Sequence, residues 1–163
     1  METCAYVETS MRVRDAMTRG PATCEPTTTL RLVARLMSDH DCAAIPVTDS
    51  GRLVGIITDR DIAVRGVALR DDAPAVQTTE CMSAPVITIS ADEPIENAVA
   101  LMTENAIHHL PVIDEMGMLV GVLAQSDLGR RMTNREFGQL ARNTSIRMKF
   151  AYRRVDAVAR REH

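Results

Sequence analysis

The chain alternates between a helical and a strand-like spacing of apolar residues, and it does so twice. Apolar residues fall at i, i+3, i+4 and i+7 within residues 30–37 and again within residues 95–102, which is typical of one buried face of an α-helix. Each helical stretch precedes two short apolar runs that a turn separates, as in a pair of neighbouring strands. The runs are 45–47 and 53–57 in the first copy and 110–113 and 119–123 in the second.

Two segments, 30–62 and 95–128, align along their whole length with one inserted residue, Met116. Upstream of them, MTRGP at 17–21 matches MSAP at 82–85, so each copy has the predicted order strand, helix, strand, strand, helix. A unit of about 60 residues buries too little apolar surface to be stable alone, which predicts that the two units pack against each other. Because no aromatic residue lies in the repeats, the predicted core is Leu, Ile, Val, Ala and Met.

Composition is that of a soluble globular protein, with 45% hydrophobic and 25% charged residues. No apolar run approaches the roughly 18 residues of a membrane span, and the N-terminus lacks the pattern of a secretory signal. We therefore expect a cytoplasmic protein with no membrane contact. The four cysteines (Cys4, Cys24, Cys42 and Cys81) form no CxxC pair, so neither a zinc site nor a disulfide framework is expected.

The net charge of −3 is unevenly distributed along the chain. Residues 1–128 contain nine basic and nineteen acidic side chains, a net −10, whereas residues 129–163 contain ten and three, a net +7. An acidic body without aromatic residues is a poor surface for nucleic acid, which requires clustered basic side chains and rings for stacking. We therefore expect no nucleic-acid partner.

The paired pattern resembles a tandem of cystathionine-β-synthase (CBS) domains, also called a Bateman module. The resemblance rests on IPV-x-D-x-G-x-LVGIITDRD in the first copy and HHLPVID-x-x-G-x-LVGVL-x-x-x-D in the second, and it covers about residues 11–130. It implies an α+β fold of two β-α-β-β-α repeats in a pseudo-twofold pair, which we place at residues 11–70 and 76–131. It also implies clefts between the repeats that bind adenosine-containing ligands: AMP, ADP, ATP, S-adenosylmethionine or NAD.

The stretch TDRD at 58–61, directly after a predicted strand, allows two interpretations. Thr58 and Asp61 fit a capping box, with the second helix beginning near Ile62. The same residues fit a nucleotide site, in which the threonine hydroxyl donates to a phosphate and the aspartate accepts ribose hydroxyls. Arg60 would then offset the repulsion between the carboxylate and the phosphate.

The resemblance favours the nucleotide site, because S/T-x-x-D after the second strand contacts nucleotide in CBS modules. It implies that Thr58, Arg60 and Asp61 make these contacts in the first repeat. It also implies that the base pocket is lined by Thr23, Ala44, Ile45 and Ile56.

The histidine pair, His108 and His109, comes directly before Leu110 and Pro111. A partly solvated surface pair is one interpretation. The other follows from the γ-subunits of AMP-activated kinases, which these residues resemble and which have a His-Arg pair here that reaches phosphates held by the neighbouring repeat. The resemblance implies that both imidazoles, with Leu110 beside them, face a nucleotide bound at Thr58.

The second copy retains only part of the TDRD motif. Ala124 replaces the threonine and Ser126 replaces the arginine, whereas Asp127 remains. Ribose recognition by Ser126 and Asp127 is predicted there, but anchoring of a phosphate is not. The sequence therefore predicts one strong site and one weak or empty site.

Residues 132–163 are predicted to form a basic amphipathic helical tail. A weak apolar stripe runs along it at alternating spacings of four and three: Phe137, Ala141, Thr144, Met148, Ala151, Val155 and Val158. The charge of the tail favours packing on its own acidic body, while a dimer seam, a protein partner and an anionic surface are alternatives. We expect packing within a homodimer.

Two functions of different classes are consistent with these features. The first is a regulatory sensor that binds an adenine nucleotide and changes the angle between its repeats. The alternative is a ligand-free scaffold that acts through dimerisation and its basic tail. An enzyme is not expected, because the sequence contains no nucleophile–base arrangement, metal-ligand cluster or Gly-rich phosphate loop.

Overall fold

The fold is seen in a computed structural model, which describes residues 11–129, 135 and 138–144. None of the helices in these residues has both the length and the apolar character needed to span a bilayer. A π-helical turn (Ile62–Val67) extends α3, and two 3-10 turns (Ala73–Ala75 and Thr78–Glu80) lie between the repeats. The helices and strands are, in chain order, α1 (Val13–Ala16), β1 (Thr18–Arg19), α2 (Leu30–Asp39), β2 (Ala44–Asp49), β3 (Arg52–Thr58), α3 (Asp59–Asp61), β4 (Ile89–Ser90), α4 (Ile95–Asn105), β5 (His109–Ile113), β6 (Leu119–Ala124) and α5 (Gln125–Gly129).

The strands form two sheets. β2 and β3 pair antiparallel in the first repeat, and the second sheet has the order β1-β6-β5-β4. β6 runs antiparallel to both β1 and β5, while β4 runs parallel to β5. The turns from β2 to β3 and from β5 to β6 contain Gly51 and Gly117 at φ values of 81° and 76°, which glycine adopts without steric penalty. The strand pair and turn predicted for each copy are confirmed.

The two repeats exchange short segments across their junction. β1 belongs to the first repeat by sequence but pairs with β6 of the second, with Thr18 opposite Val122. Reciprocally, Ser83 of the second repeat bonds to Ile56 in β3, its amide donating at 2.8 Å and its carbonyl accepting at 3.1 Å. Each repeat therefore extends the sheet of the other, which explains why the two units pack as a pair.

Two aliphatic cores hold the repeats together, and each contains a residue of an exchanged segment. Cys81, from the start of the second repeat, lies in the first core, and Val13, from the start of the first repeat, lies in the second. The predicted aliphatic composition is confirmed, with two cysteines in addition. The first core comprises Cys24, Leu30, Val33, Met37, Ile45, Val47, Ile57, Val76 and Cys81; the second comprises Val13, Ile89, Ala98, Met102, Leu110, Val112, Leu123, Leu128 and Leu140.

A methionine from each exchanged segment lies on a glycine of the opposite sheet. A Cβ atom added to Gly121 would lie against the Met17 thioether and only 2.9 Å from the Thr18 carbonyl oxygen. A Cβ atom added to Gly55 would have the Met82 side chain as its nearest neighbour. Both glycines therefore allow an exchanged segment to approach the strand more closely than any side chain would permit.

The second helix of the first repeat starts earlier than the sequence pattern indicates. α3 begins at Asp59 and not near Ile62, because Thr58 caps the chain directly at the end of β3. The π-helical turn that follows brings Gly66 against Leu30, where an added Cβ atom would lie 2.6 Å from Leu30 Cδ1. Close packing between this turn and α2 thus depends on a glycine.

Residues 138–144 are helical and pack on the second repeat. Leu140 is 3% exposed in the second core, and Thr144 is fully buried with its hydroxyl donating to the Leu140 carbonyl oxygen at 2.8 Å. The predicted apolar stripe contains Thr144, which is buried, but it omits Leu140, which enters the core. The buried face follows the spacing of four between these two residues. Phe137 and residues 145–163 lie outside the described residues.

Substitution of alanine for Gly121 and for Gly55 tests whether the stability of the fold depends on the close approach of the exchanged segments to the strands. We expect Gly121→Ala to lower the free energy of unfolding by about 1–3 kcal/mol, because the Thr18 carbonyl cannot move without losing its pairing with Val122. Gly55→Ala is the matched control and should cost less, since the Met82 side chain can rotate away. Urea unfolding of both variants measures the difference. Equal losses would show that the backbone contact is not the limiting one.

Candidate functional site

Thr58 and Asp61 form a closed hydrogen-bonded unit at the end of β3. The Thr58 amide donates to Asp61 Oδ2 at 3.0 Å and the Thr58 hydroxyl donates to the same oxygen at 2.7 Å. The Asp61 amide in turn donates to Thr58 Oγ1 at 3.2 Å. The predicted capping box is therefore present, and it fixes a carboxylate that is only 8% exposed.

The second repeat forms the corresponding cap without a threonine. The amide of Ala124 donates to Asp127 Oδ2 at 2.8 Å, which is the counterpart of the bond from Thr58 to Asp61. An aspartate alone is enough to satisfy this amide. The retention of Asp127 in the second copy therefore has a structural cause that requires no ligand.

Arg65 is a residue of the site that the sequence pattern did not identify. Its Nη1 atom lies 3.5 Å from Asp61 Oδ1 and donates to the carbonyl oxygens of Cys81 and Met82 and to Ser83 Oγ, at 3.0, 3.2 and 3.3 Å. The spacing of four residues from Asp61 on a helix was a usable sequence signal for the ion pair. The three other contacts result from the segment exchange and have no local signal.

The first cleft lies between the two repeats and has a volume of about 620 Å³, within the range of ~300–1,000 Å³ for small-molecule sites. It is lined by the end of β3, by α3 and by Ser83, which pairs with β3, together with residues 106–109. Arg65 and Ser83 add to its polar lining. Six of the predicted site residues meet here: Ile56, Thr58, Arg60, Asp61, His108 and His109.

The second cleft, of about 380 Å³, is the counterpart of the first at the end of β6. Ser126 and Asp127 line it together with residues 40–44, and His109 lines both clefts. Ala44, which was predicted to lie in the pocket of the first repeat's motif, lies here instead. A separate depression of about 390 Å³ beside α4 contains none of the predicted site residues.

Three predicted site residues line neither cleft. Ile45 and Leu110 are fully buried in the two cores, and Thr23 is exposed to solvent next to Ala22, which lines the second cleft. Successive side chains of a strand point to opposite faces of the sheet, so when Ala44 and His109 face a cleft, their neighbours Ile45 and Leu110 face a core. The predicted base pocket is therefore divided between two cavities and the protein interior.

Burial sets the protonation of the histidine pair. It lowers the pKa of His108 from its usual value of 6.5, and the Nε2 atom of that residue is shielded from solvent with no hydrogen-bond partner among the described residues. Burial also lowers the pKa of His109, as does the nearby His108, while Asp59 and Asp127 act in the opposite direction. Both imidazoles are therefore mainly neutral at pH 7, and a phosphate beside them would favour their protonation.

Protonation of the histidine pair is expected to weaken the fold in acid. Both imidazoles gain a proton near pH 6.5 in the unfolded chain but only at lower pH in the fold, so the free energy of unfolding falls as pH drops below about 6.5. Urea unfolding between about pH 5 and pH 7.5 measures this slope. The double substitution His108→Asn/His109→Asn should reduce this slope. An unchanged slope in the double variant would contradict the assignment.

Comparison with known proteins agrees with this geometry. A family model for the CBS domain matches the chain twice, over residues 13–66 and 79–134. The CBS domain-containing protein YhcV of Bacillus subtilis is 37% identical over 134 residues, which are 82% of this chain and 94% of that protein.

Two solved structures are also similar. Hypoxic Response Protein I, solved with two coordinated zinc ions, is 31% identical with a TM-score of 0.68, over 75% of this chain and 99% of that one. The described residues here contain no group of three or more His, Cys, Asp or Glu side chains able to hold a metal ion. The CBS domain pair of protein MJ0100, in complex with methylthioadenosine and S-adenosyl-L-methionine, is 30% identical with a TM-score of 0.68, over 74% and 94% of the two chains. Two family matches that together cover most of the chain show that it belongs to the CBS domain family, as a tandem pair.

Proposed function

We propose that this CBS pair is a regulatory module that binds an adenosine-containing nucleotide in its first cleft. The observation that carries the proposal is the meeting of two predicted groups from different repeats in one cavity. These groups are the TDRD stretch at 58–61 and the histidine pair at 108–109. The proposed activity is binding, with no chemical step.

The polar lining of the first cleft fits a ribose next to a phosphate. Asp61 Oδ2 already accepts two hydrogen bonds from Thr58, while Oδ1 keeps acceptor capacity for a ribose hydroxyl. Arg60 supplies a guanidinium group, whose planar fork matches phosphate oxygens, and Arg65 adds positive charge beside Asp61. Ile56 and other apolar side chains of the cavity offer a surface for the base.

Charge distinguishes the first cleft from the second. Arg60 and Arg65 balance Asp59 and Asp61 in the first, where the histidine pair can also gain protons. Asp41 and Asp127 line the second, and none of the described residues that line it is Lys or Arg. A phosphate in the second cleft would face two carboxylates with no guanidinium beside them, since the only basic groups that the described lining residues supply are the imidazoles of His40 and His109. We therefore propose one strong nucleotide site per chain.

The relatives support the adenosine class of ligand. The MJ0100 CBS pair holds methylthioadenosine and S-adenosyl-L-methionine, both of which contain adenosine and neither of which contains a phosphate. The two arginines and two histidines of the first cleft favour a phosphorylated member of the class. AMP, ADP and ATP are accordingly the ligands we propose for this chain.

Substitution of the two capping aspartates tests the proposal with a matched control. We expect Asp61→Ala to weaken AMP binding more than tenfold, because charge-assisted hydrogen bonds to ribose are worth ~1.5–3 kcal/mol each. Asp127→Ala removes the equivalent backbone cap in the second repeat and should leave the strong site intact. Calorimetric titration, with thermal unfolding of each variant beside it, measures both effects.

The calorimetric outcomes separate the candidate functions. One strong AMP site in the wild type, lost only in Asp61→Ala, supports the sensor. Equal effects of the two substitutions would contradict the assignment to the first cleft. The absence of binding by AMP, ADP and ATP at millimolar concentration would favour the ligand-free scaffold.

We also propose that two chains associate through the first repeat. Val64, Val67 and Leu69, on the π-helical turn and directly after it, are 40%, 65% and 74% exposed. Large apolar side chains exposed next to one another are typical of contact surfaces. Val67 lies between the other two in the chain, and we therefore choose it for substitution.

Val67→Glu is expected to lower the average mass measured by light scattering, because a buried unpaired carboxylate disfavours association. Met116→Glu is the control, since Met116 is 83% exposed and belongs to the hairpin turn of the second repeat. If both variants and the wild type have one mass at every concentration, the proposed surface does not mediate association.

A further inference from the structure

Arg65 occupies the point where the first cleft meets the exchanged segment of the second repeat. On one side its guanidinium lies 3.5 Å from Asp61, the proposed ribose acceptor. On the other it donates to three consecutive residues, the carbonyl oxygens of Cys81 and Met82 and the hydroxyl of Ser83. One side chain thus connects the binding motif of the first repeat with a segment of the second.

The segment 81–83 is the part of the second repeat that is built into the first. Cys81 is 1% exposed in the first core, Met82 lies over Gly55, and Ser83 pairs with Ile56 in β3. Its position therefore determines how the two repeats sit against each other.

The hydrogen bonds of Asp61 give the other half of the connection. Its Oδ2 atom is fixed by the amide and hydroxyl of Thr58, and the Oδ1 atom faces Arg65. Removal of the guanidinium would leave a largely buried carboxylate without its neighbouring positive charge. It would also leave the carbonyl oxygens of Cys81 and Met82 without this donor.

We propose that Arg65 is a positioning residue. Through Arg65, the affinity of the first cleft for a nucleotide depends on whether segment 81–83 is packed against the first repeat. This inference rests on the proposed function. Because binding linkage is reciprocal, a nucleotide that binds more tightly when segment 81–83 is packed on the first repeat also stabilises that packing. Occupancy of the cleft is thereby transmitted to the junction between the repeats.

The tethering role requires an arginine. The contacts with Asp61 and with residues 81–83 all converge on one atom, Nη1, at the far end of the arginine side chain. A lysine ammonium supplies the same charge, but its nitrogen lies one bond nearer the main chain and cannot occupy the position of Nη1. Arg65→Lys therefore keeps the charge beside Asp61 but not the connection to residues 81–83, which separates the two effects.

Hydrogen exchange of the unliganded protein tests the tether first. The Ser83 amide donates to Ile56 and the Met82 amide donates to Thr78, both at 2.8 Å. We expect both amides to exchange about tenfold faster or more in Arg65→Met and Arg65→Lys, because local opening becomes easier. Arg70→Met is the matched control, since Arg70 forms an ion pair with Glu80 at 2.6 Å just before the segment, and we expect it to leave both rates within about twofold.

Titration with AMP tests the transmission. We expect the wild type and Arg70→Met to bind alike, and Arg65→Met and Arg65→Lys to bind at least about tenfold more weakly. Saturating AMP should slow exchange of the Ser83 amide in the wild type but not in either Arg65 variant. Recovery of affinity in Arg65→Lys would show that Arg65 acts only through its charge, which would overturn the proposal.

The remaining outcomes distinguish this inference from the proposed function. Unchanged exchange at residues 82 and 83 in both Arg65 variants overturns the tether even if AMP binds tightly. A wild type that binds neither AMP, ADP nor ATP overturns the proposed function and the transmission together, while the exchange rates still decide whether Arg65 holds the segment.

Discussion

The exchange of short segments between the repeats is the constraint on which the rest of this structure depends. β1 finds its backbone partners on β6, and Ser83 finds its partner on β3, so each repeat satisfies exposed strand groups of the other. The exchange brings Ser83 to the end of β3, and these residues line the first cleft together with residues 106–109. The candidate site is thus a product of the junction and belongs to neither repeat alone.

Successive side chains of a strand point to opposite faces, so one residue lines a cleft while its neighbour packs in a core. His109 faces both clefts while Leu110 fills the second core, and Ala44 and Ile45 are divided in the same way. A buried strand side next to a polar cleft explains why the imidazoles are partly desolvated and mainly neutral. The first cleft therefore contains two imidazoles whose protonation depends on the charge of a ligand bound beside them.

Local periodicity was sufficient to predict the two repeats, their strand pairs and their aliphatic cores, whereas the meeting of TDRD with the histidine pair was implied by the resemblance to CBS modules. What it missed depends on contacts between residues distant in sequence. The tether from Arg65 to residues 81–83 exists only because of the exchange, and Leu140 enters a core whose position the tail sequence does not reveal. Ala44 and Thr23 were misplaced because alignment with a family locates a position in the fold but not the cavity that it faces.

The capping aspartates change what a sequence of this kind tells its reader. Asp61 and Asp127 accept the same backbone hydrogen bond, so selection for a well-formed strand-to-helix turn is enough to retain an acid in both repeats. The aspartate alone therefore contains little information about ligands. The informative positions are those around it that the turn does not need, such as the threonine at 58 and the arginines at 60 and 65. A comparison of homologous CBS pairs at those positions would distinguish clefts that bind a ligand from clefts that retain only the capped turn.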